Sequence, residues 1–163
     1  MLSKTIEAAL NEQIKNEFYS AYYYLSMSAY FEAANLPGSA HWMRTQFGEE
    51  QTHALKLYDY VNSRNGRVTL LPIEQPPVSY DSPQEVWEQV LKHEQKVTAM
   101  IHHLYELAGK EKDYATQTML AWFITEQVEE EKNAGLMAER FQQAGKNPAN
   151  ILMFDGHFTK RGV

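Results

Sequence analysis

The chain has 163 residues, with 21 acidic against 15 basic side chains, a formal charge of −6 and no cysteine. That length predicts one domain spanning 1–163, large enough to bury a core without covalent staples. The missing cysteines exclude a disulfide framework, a thiolate zinc site and an iron–sulfur cluster, so any metal must be held by Glu, Asp, His or Gln. The acidic balance argues against a nucleic-acid partner and suits cations. Met1-Leu2-Ser3-Lys4 leads straight into polar amphipathic sequence, with no signal-peptide run and no stretch of about 18 apolar residues. The expectation is a soluble cytoplasmic protein with no membrane partner.

A first helix is predicted from roughly Ser3, a plausible N-cap, to Ala33, stopped by Asn35-Leu36-Pro37-Gly38. A second runs from about Ser39 to Ser63 and ends at Arg64-Asn65-Gly66. From Arg67 to about Tyr80 the prolines Pro72, Pro76 and Pro77 prevent a regular helix and favour extended backbone. Ser82, Pro83 and Glu85 make a helix start with a capping box, opening a third helix to about Gly109. A fourth begins near Asp113 and continues to about Ala144, and Asn147-Pro148 opens a short fifth segment to about Phe158.

No strand pattern or repeat intervenes, so the chain reads as all-α. A helix of about 27 residues is roughly 40 Å long, and an extended crossover of ~15 residues spans nearly ~50 Å, so the second and third helices can run parallel. Short turns make the other pairs antiparallel. The expected fold is a ferritin-like four-helix bundle with one long crossover and a short fifth C-terminal helix.

Each long helix carries a seam with steps of three and four, and each seam has a polar interruption. The first reads Leu10, Ile14, Glu17, Ala21, Tyr24, Ser28, and the second Met43, Phe47, Glu50, Ala54, Leu57, Val61. The third reads Trp87, Val90, Glu94, Val97, Ile101, Leu104, and the fourth Leu120, Phe123, Gln127, Glu130, Ala134, Met137. Glu17, Glu50, Glu94 and Gln127 fall near mid-helix, at one level of the bundle, and His53 follows Glu50 by one turn. Burying several carboxylates together costs several kcal/mol per ion, a cost that a multivalent cation removes.

Glu50-x-x-His53 is the half-site of di-iron carboxylate bundles, and Gln127-x-x-Glu130 replaces the second Glu-x-x-His pair. The expected assignment puts Glu17, Glu50 and His53 on one iron and Glu94 and Glu130 on the other. Glu50 bridges, and Gln127 stands beside the oxygen-binding face. Oxygen-rich ligation with one imidazole suits iron cycling between ferrous and ferric states. Tyr24, two turns after Glu17, is readable equally as a packing aromatic or as a group that bonds a ligand or supplies an electron. Trp122 is expected in the core. His102 and His103 suit the negative end of their helix, and they, His41 and His157 are given no metal role. By spacing alone Glu49, Glu126 and Glu129 read as solvated surface.

The stretches Asn16-Glu17-Phe18-Tyr19-Ser20-Ala21, Gly48-Glu49-Glu50-Gln51-Thr52-His53, His93-Glu94 and Glu126-Gln127-Val128-Glu129-Glu130-Glu131 closely resemble the prokaryotic non-heme ferritins, over essentially the whole chain. The resemblance implies iron storage and a ferroxidase centre at Glu17, Glu50, His53, Glu94, Gln127 and Glu130. It also implies a third iron position at Glu49, Glu126, Glu129 and Glu130, and a homo-oligomeric shell of 24 chains with the fifth helix at its four-fold axes. Fe(II) and dioxygen would be its small-molecule partners. Bacterioferritins are similar but carry a second Glu-x-x-His and a heme-ligating Met between the Glu and His of the second helix. Here Gln127, Glu130, Gln51 and Thr52 stand there, so no heme is expected. A rubrerythrin-like peroxidase or another di-iron oxidase would use the same bundle without storing iron, and rubrerythrins add a cysteine-based electron-transfer domain absent here. DNA-protecting small shells bind iron between subunits rather than inside the bundle.

Overall fold

The structure is a computed structural model, described over residues 2–158. It consists of α1 (Lys4–Ala33), α2 (Pro37–Ser63), α3 (Pro83–Lys110), α4 (Tyr114–Ala144) and α5 (Pro148–Phe158), with no strand among the described residues. α1 packs along α2 and α3 along α4, while α5 rests on α2 and α4. Asn16 meets Met100 and Ser20 meets His93, so residue numbers rise on α1 as they fall on α3. α1 and α3 are therefore antiparallel, which makes α2 and α3 parallel, as the long crossover requires.

The helix ends follow the local chemistry of the sequence. Ser3 Oγ accepts from Ile6 N at 3.2 Å, Ser82 Oγ from Glu85 N at 3.1 Å, and Asp113 Oδ1 from Thr116 N at 3.1 Å. The capping box at α3 closes one residue earlier than expected, because Glu85 Oε2 accepts from Asp81 N at 2.6 Å. Asn35 and Asn65 take the left-handed conformation, φ 57° and 54°, that ends α1 and α2. α3 continues to Lys110, the left-handed residue is Lys112, and Asp113 N closes back on Ala108 O at 2.9 Å. A Cβ at Gly109 would lie 2.8 Å from Gln117 Nε2, the movable end of a side chain that donates to Tyr105 O.

α2 starts at Pro37, two residues before the sequence expectation, because its cap comes from a distant element. Asp155 on α5 accepts Gly38 N at 2.9 Å and Ser39 N at 2.6 Å. Local reading stops at Ser39 because no side chain near Leu36 caps the turn.

The apolar core is split in two. One cluster gathers Met27, Phe31, Trp42, Met43, Trp87, Val90, Phe141 and Phe158. The other gathers Ile6, Leu10, Ile14, Leu57, Val97, Ile101, Leu120 and Phe123. Each long helix places a buried polar residue between the two, with Glu17, Glu50, Glu94 and Gln127 in the gap. A polar layer thus interrupts an otherwise dry bundle.

Candidate metal centre

All six core positions singled out in the sequence, Glu17, Glu50, His53, Glu94, Gln127 and Glu130, are buried, none more than 5% exposed. The helices dictate this: buried apolar residues flank the polar positions along the seams, Ile14 and Ala21 on α1, Ala54 and Leu57 on α2, Val90 and Val97 on α3, and Phe123 and Ala134 on α4. Ligand atoms of Glu17, Glu50 and His53 lie within 4.8 Å of one another, the spacing a single cation can bridge. Glu94 and Glu130 approach from α3 and α4 outside that tight triad.

Hydrogen bonding divides the carboxylates. Gln13 Nε2 donates to Glu17 Oε1 at 2.8 Å, and Gln46 Nε2 to Glu130 Oε2 at 3.0 Å. Gln127 Nε2 donates to Glu94 Oε2 at 3.1 Å and to Thr98 Oγ1 at 3.3 Å, while Tyr24 donates its hydroxyl to Glu94 Oε1. Glu50 Oε2 has no hydrogen-bond donor, although it is buried 3.3 Å from His53 Nδ1. A buried carboxylate oxygen left without a donor beside an imidazole nitrogen is costly unless a cation serves both.

The electrostatics agree. Burial, opposed in part by the Gln13 hydrogen bond, pushes the Glu17 carboxyl up to about 7. Burial and the neighbouring charges of Glu94, Glu17 and Glu130 push Glu50 well above the usual carboxylate range. Burial also raises Glu94, and it lowers the His53 imidazole to about 4, helped by the Lys56 charge. Near neutral pH the metal-free site is therefore a set of partly protonated carboxyls around a neutral imidazole, ready to exchange protons for a cation.

Tyr24 is buried with its phenol held protonated by burial and by the surrounding carboxylates, and it touches the site through Glu94. Trp122 is not a core residue. It is 38% exposed, with Lys56 Nζ 4.1 Å from its ring centroid and the His53 ring 5.4 Å away, centroid to centroid, so α4 turns it outward beside His53. Phe47 is only half-buried, and Gln46 takes the inner place on α2. Glu49 and Glu126 are half-buried and Glu129 is exposed, while Glu130 is buried. His102, His103 and His157 are exposed, and His157 Nδ1 engages Met153 O at 2.7 Å.

Sequence reasoning passed over Gln13, Gln46 and His93. His93 packs among Tyr19, Tyr23 and Tyr24, and its Nε2 lies 2.8 Å from Ser20 Oγ. Ser20 spends its own hydrogen on Asn16 O, which makes His93 Nε2 the donor. A signal for the two glutamines was present, because each precedes a core glutamate, Glu17 or Glu50, by one turn.

A Ferritin-like domain family model matches residues 7–144. The chain is 40% identical to the bacterial non-heme ferritin of Bacteroides fragilis, covering 99% of this chain and 100% of that protein. It is 36% identical to that of Staphylococcus epidermidis, covering 99% and 97%. The chain belongs to the ferritin family. Its fold superposes on an open pore ferritin from the hyperthermophilic archaeon Archaeoglobus fulgidus with a TM-score of 0.98 at 44% identity, covering 99% of this chain and 100% of that one. Family and fold together support iron storage, and the candidate site supplies the oxygen and nitrogen donors that iron handling in a ferritin needs. No helix among the described residues is long and apolar enough to cross a membrane.

Proposed function

We propose that the chain is a ferroxidase subunit of an iron-storing shell. It binds two ferrous ions in the polar layer, passes their electrons to dioxygen, and delivers ferric oxo-hydroxide to the cavity of a cytoplasmic, heme-free homo-oligomer of 24 chains. The observation that carries the reading is the buried convergence of Glu17, Glu50 and His53, with a Glu50 oxygen lacking any donor.

In this reading Glu17 and His53 hold one iron, Glu94 and Glu130 hold the other, and Glu50 bridges. The hydrogen bonding favours that division, because Glu17, Glu94 and Glu130 each have a fixed donor and Glu50 Oε2 has none. An oxygen without a donor is the one able to move between metals. Gln127 commits its amide nitrogen to Glu94, so the only atom it can offer toward iron or dioxygen is its carbonyl oxygen.

Two ferrous ions give up one electron each; dioxygen takes both with two protons and leaves as hydrogen peroxide, while water supplies the oxygen of the ferric oxo-hydroxide. The carboxylates offset the rise in positive charge on the metals. Their protons leave as iron enters, so loading releases acid. Glu49, Glu126, Glu129 and Glu130 form a third iron position, through which oxidised iron moves toward the mineral. Tyr24 keeps Glu94 oriented by donating its hydroxyl to that carboxylate.

The test is anaerobic titration of metal-free protein with Fe(II), followed by admission of oxygen. Two tight sites per chain and fast oxidation, both abolished in Glu50→Ala, are expected. Oxidation at the rate of free ferrous iron in buffer would reject the reading.

A further inference from the structure

Gln13 and Gln46 are both buried, at 2% and 0% exposure, beside the carboxylates of the polar layer. They share one sequence relationship, glutamine four residues before a core glutamate on α1 and on α2. The fold uses the two differently. Gln13 bonds the glutamate of its own helix, Glu17, at 2.8 Å, whereas Gln46 bypasses Glu50 and reaches across the bundle to Glu130 on α4, at 3.0 Å.

We propose that Gln13 and Gln46 are positioning residues, each fixing the carboxylate of a different iron, Glu17 and Glu130 respectively, so that each governs the occupancy of one metal position. The proposal rests on the two-iron reading above.

The chemistry favours an amide in this role. A buried Lys or Arg would orient a carboxylate but also repel the incoming cation, while an apolar residue would leave the carboxylate free to swing. A neutral amide orients without adding charge, and its bond to a carboxylate is charge-assisted in a dry layer. Each glutamine engages one oxygen of its partner, and carboxylate lone pairs at both oxygens can be shared with a metal. Gln13 is itself braced: Asn16 Nδ2 approaches its Oε1 at 3.5 Å and Met100 Sδ at 3.3 Å, tying the pair to α3. Because the two glutamines serve opposite sides of the site, their loss has separable effects.

The experiment is anaerobic Co(II) titration of the intact metal-free assembly, with anomalous diffraction from Co(II)-soaked crystals, for wild type, Gln13→Met and Gln46→Met. Methionine keeps length and burial but cannot donate. Wild type is expected to hold Co(II) at two positions. Gln13→Met should weaken the position beside Glu17 and His53 by about 10- to 100-fold and spare the other, and Gln46→Met should do the converse at Glu130. Should a methionine variant fail to assemble, Gln13→Asn or Gln46→Asn, with an amide one methylene short, should give the same site-selective loss. Wild type holding fewer than two Co(II) ions would overturn the two-metal reading itself. Wild type holding two, with variants that change neither position or weaken both equally, would overturn the positioning role alone.

Discussion

Replacing Glu17 by Gln should make the metal-free protein more stable, by an amount that depends on pH. Burial lifts the Glu17 carboxyl from 4.5 to about 7, and at ~1.4 kcal/mol per unit this shift is worth about 3 kcal/mol. Well below pH 4.5 the group is protonated in both folded and unfolded chains, so wild type and variant differ little. As pH rises, the unfolded chain loses its proton first, and folding stability falls until the native carboxyl ionises near 7. Above that the native state carries the full penalty, which the neutral amide escapes while still able to accept from Gln13. For a chain of this size about 3 kcal/mol is roughly 6 to 12 °C in the unfolding midpoint. Scanning calorimetry of metal-free protein should find the variant ahead by that margin near pH 8 and by only about 1 kcal/mol near pH 5. Added Zn(II) should reverse the order near pH 8, since the cation rewards the carboxylate. A gap independent of pH, or a metal-free wild type more stable than the variant near pH 8, would refute the argument that Glu17 is strained by burial.

Three further outcomes follow from the same contacts. His53→Ala removes the imidazole from the Glu17–Glu50–His53 triad, and since residues that merely support a ligand typically cost 10- to 100-fold, stopped-flow oxidation of Fe(II) should slow by more than about 100-fold. Asp155→Ala leaves the Gly38 and Ser39 amides without their acceptor, so the midpoint should fall by the equivalent of about 2 kcal/mol, with faster hydrogen exchange at those amides and in α5. Gly38→Ala should displace α5 outright, because a Cβ there would sit 1.9 Å from the Asp155 carbonyl oxygen, a backbone atom that cannot rotate away. Its α5 amides should exchange at least as fast as those of Asp155→Ala.

What could be read from the sequence was whatever repeats at helical spacing. The four seams, the prolines of the crossover, and the Ser3, Ser82 and Asp113 caps are local signals, and all of them appear in the fold. The burial of Glu17, Glu50, His53, Glu94, Gln127 and Glu130 followed from the same periodicity. What escaped depends on contacts between distant segments. The start of α2 is fixed by Asp155, more than 110 positions away, and no reading around Pro37 supplies it. On α2, steps of three and four from Met43 admit both Gln46 and Phe47; Phe47 packs half-buried against the core cluster, and Gln46 went unread because its buried partner, Glu130, lies on another helix. Trp122 looked like core by its chemistry, but Lys56 covers its exposed ring instead.

The central claim, that this polar layer oxidises iron for storage rather than for another oxidation, is tested most directly by counting iron. Metal-free protein would be given excess Fe(II) in air, passed through gel filtration, and assayed for iron per chain. Many tens of ferric ions per chain, co-eluting with a very large assembly, are expected. Retention of only two or three per chain would contradict the account and make the chain a di-iron oxidase that stores nothing.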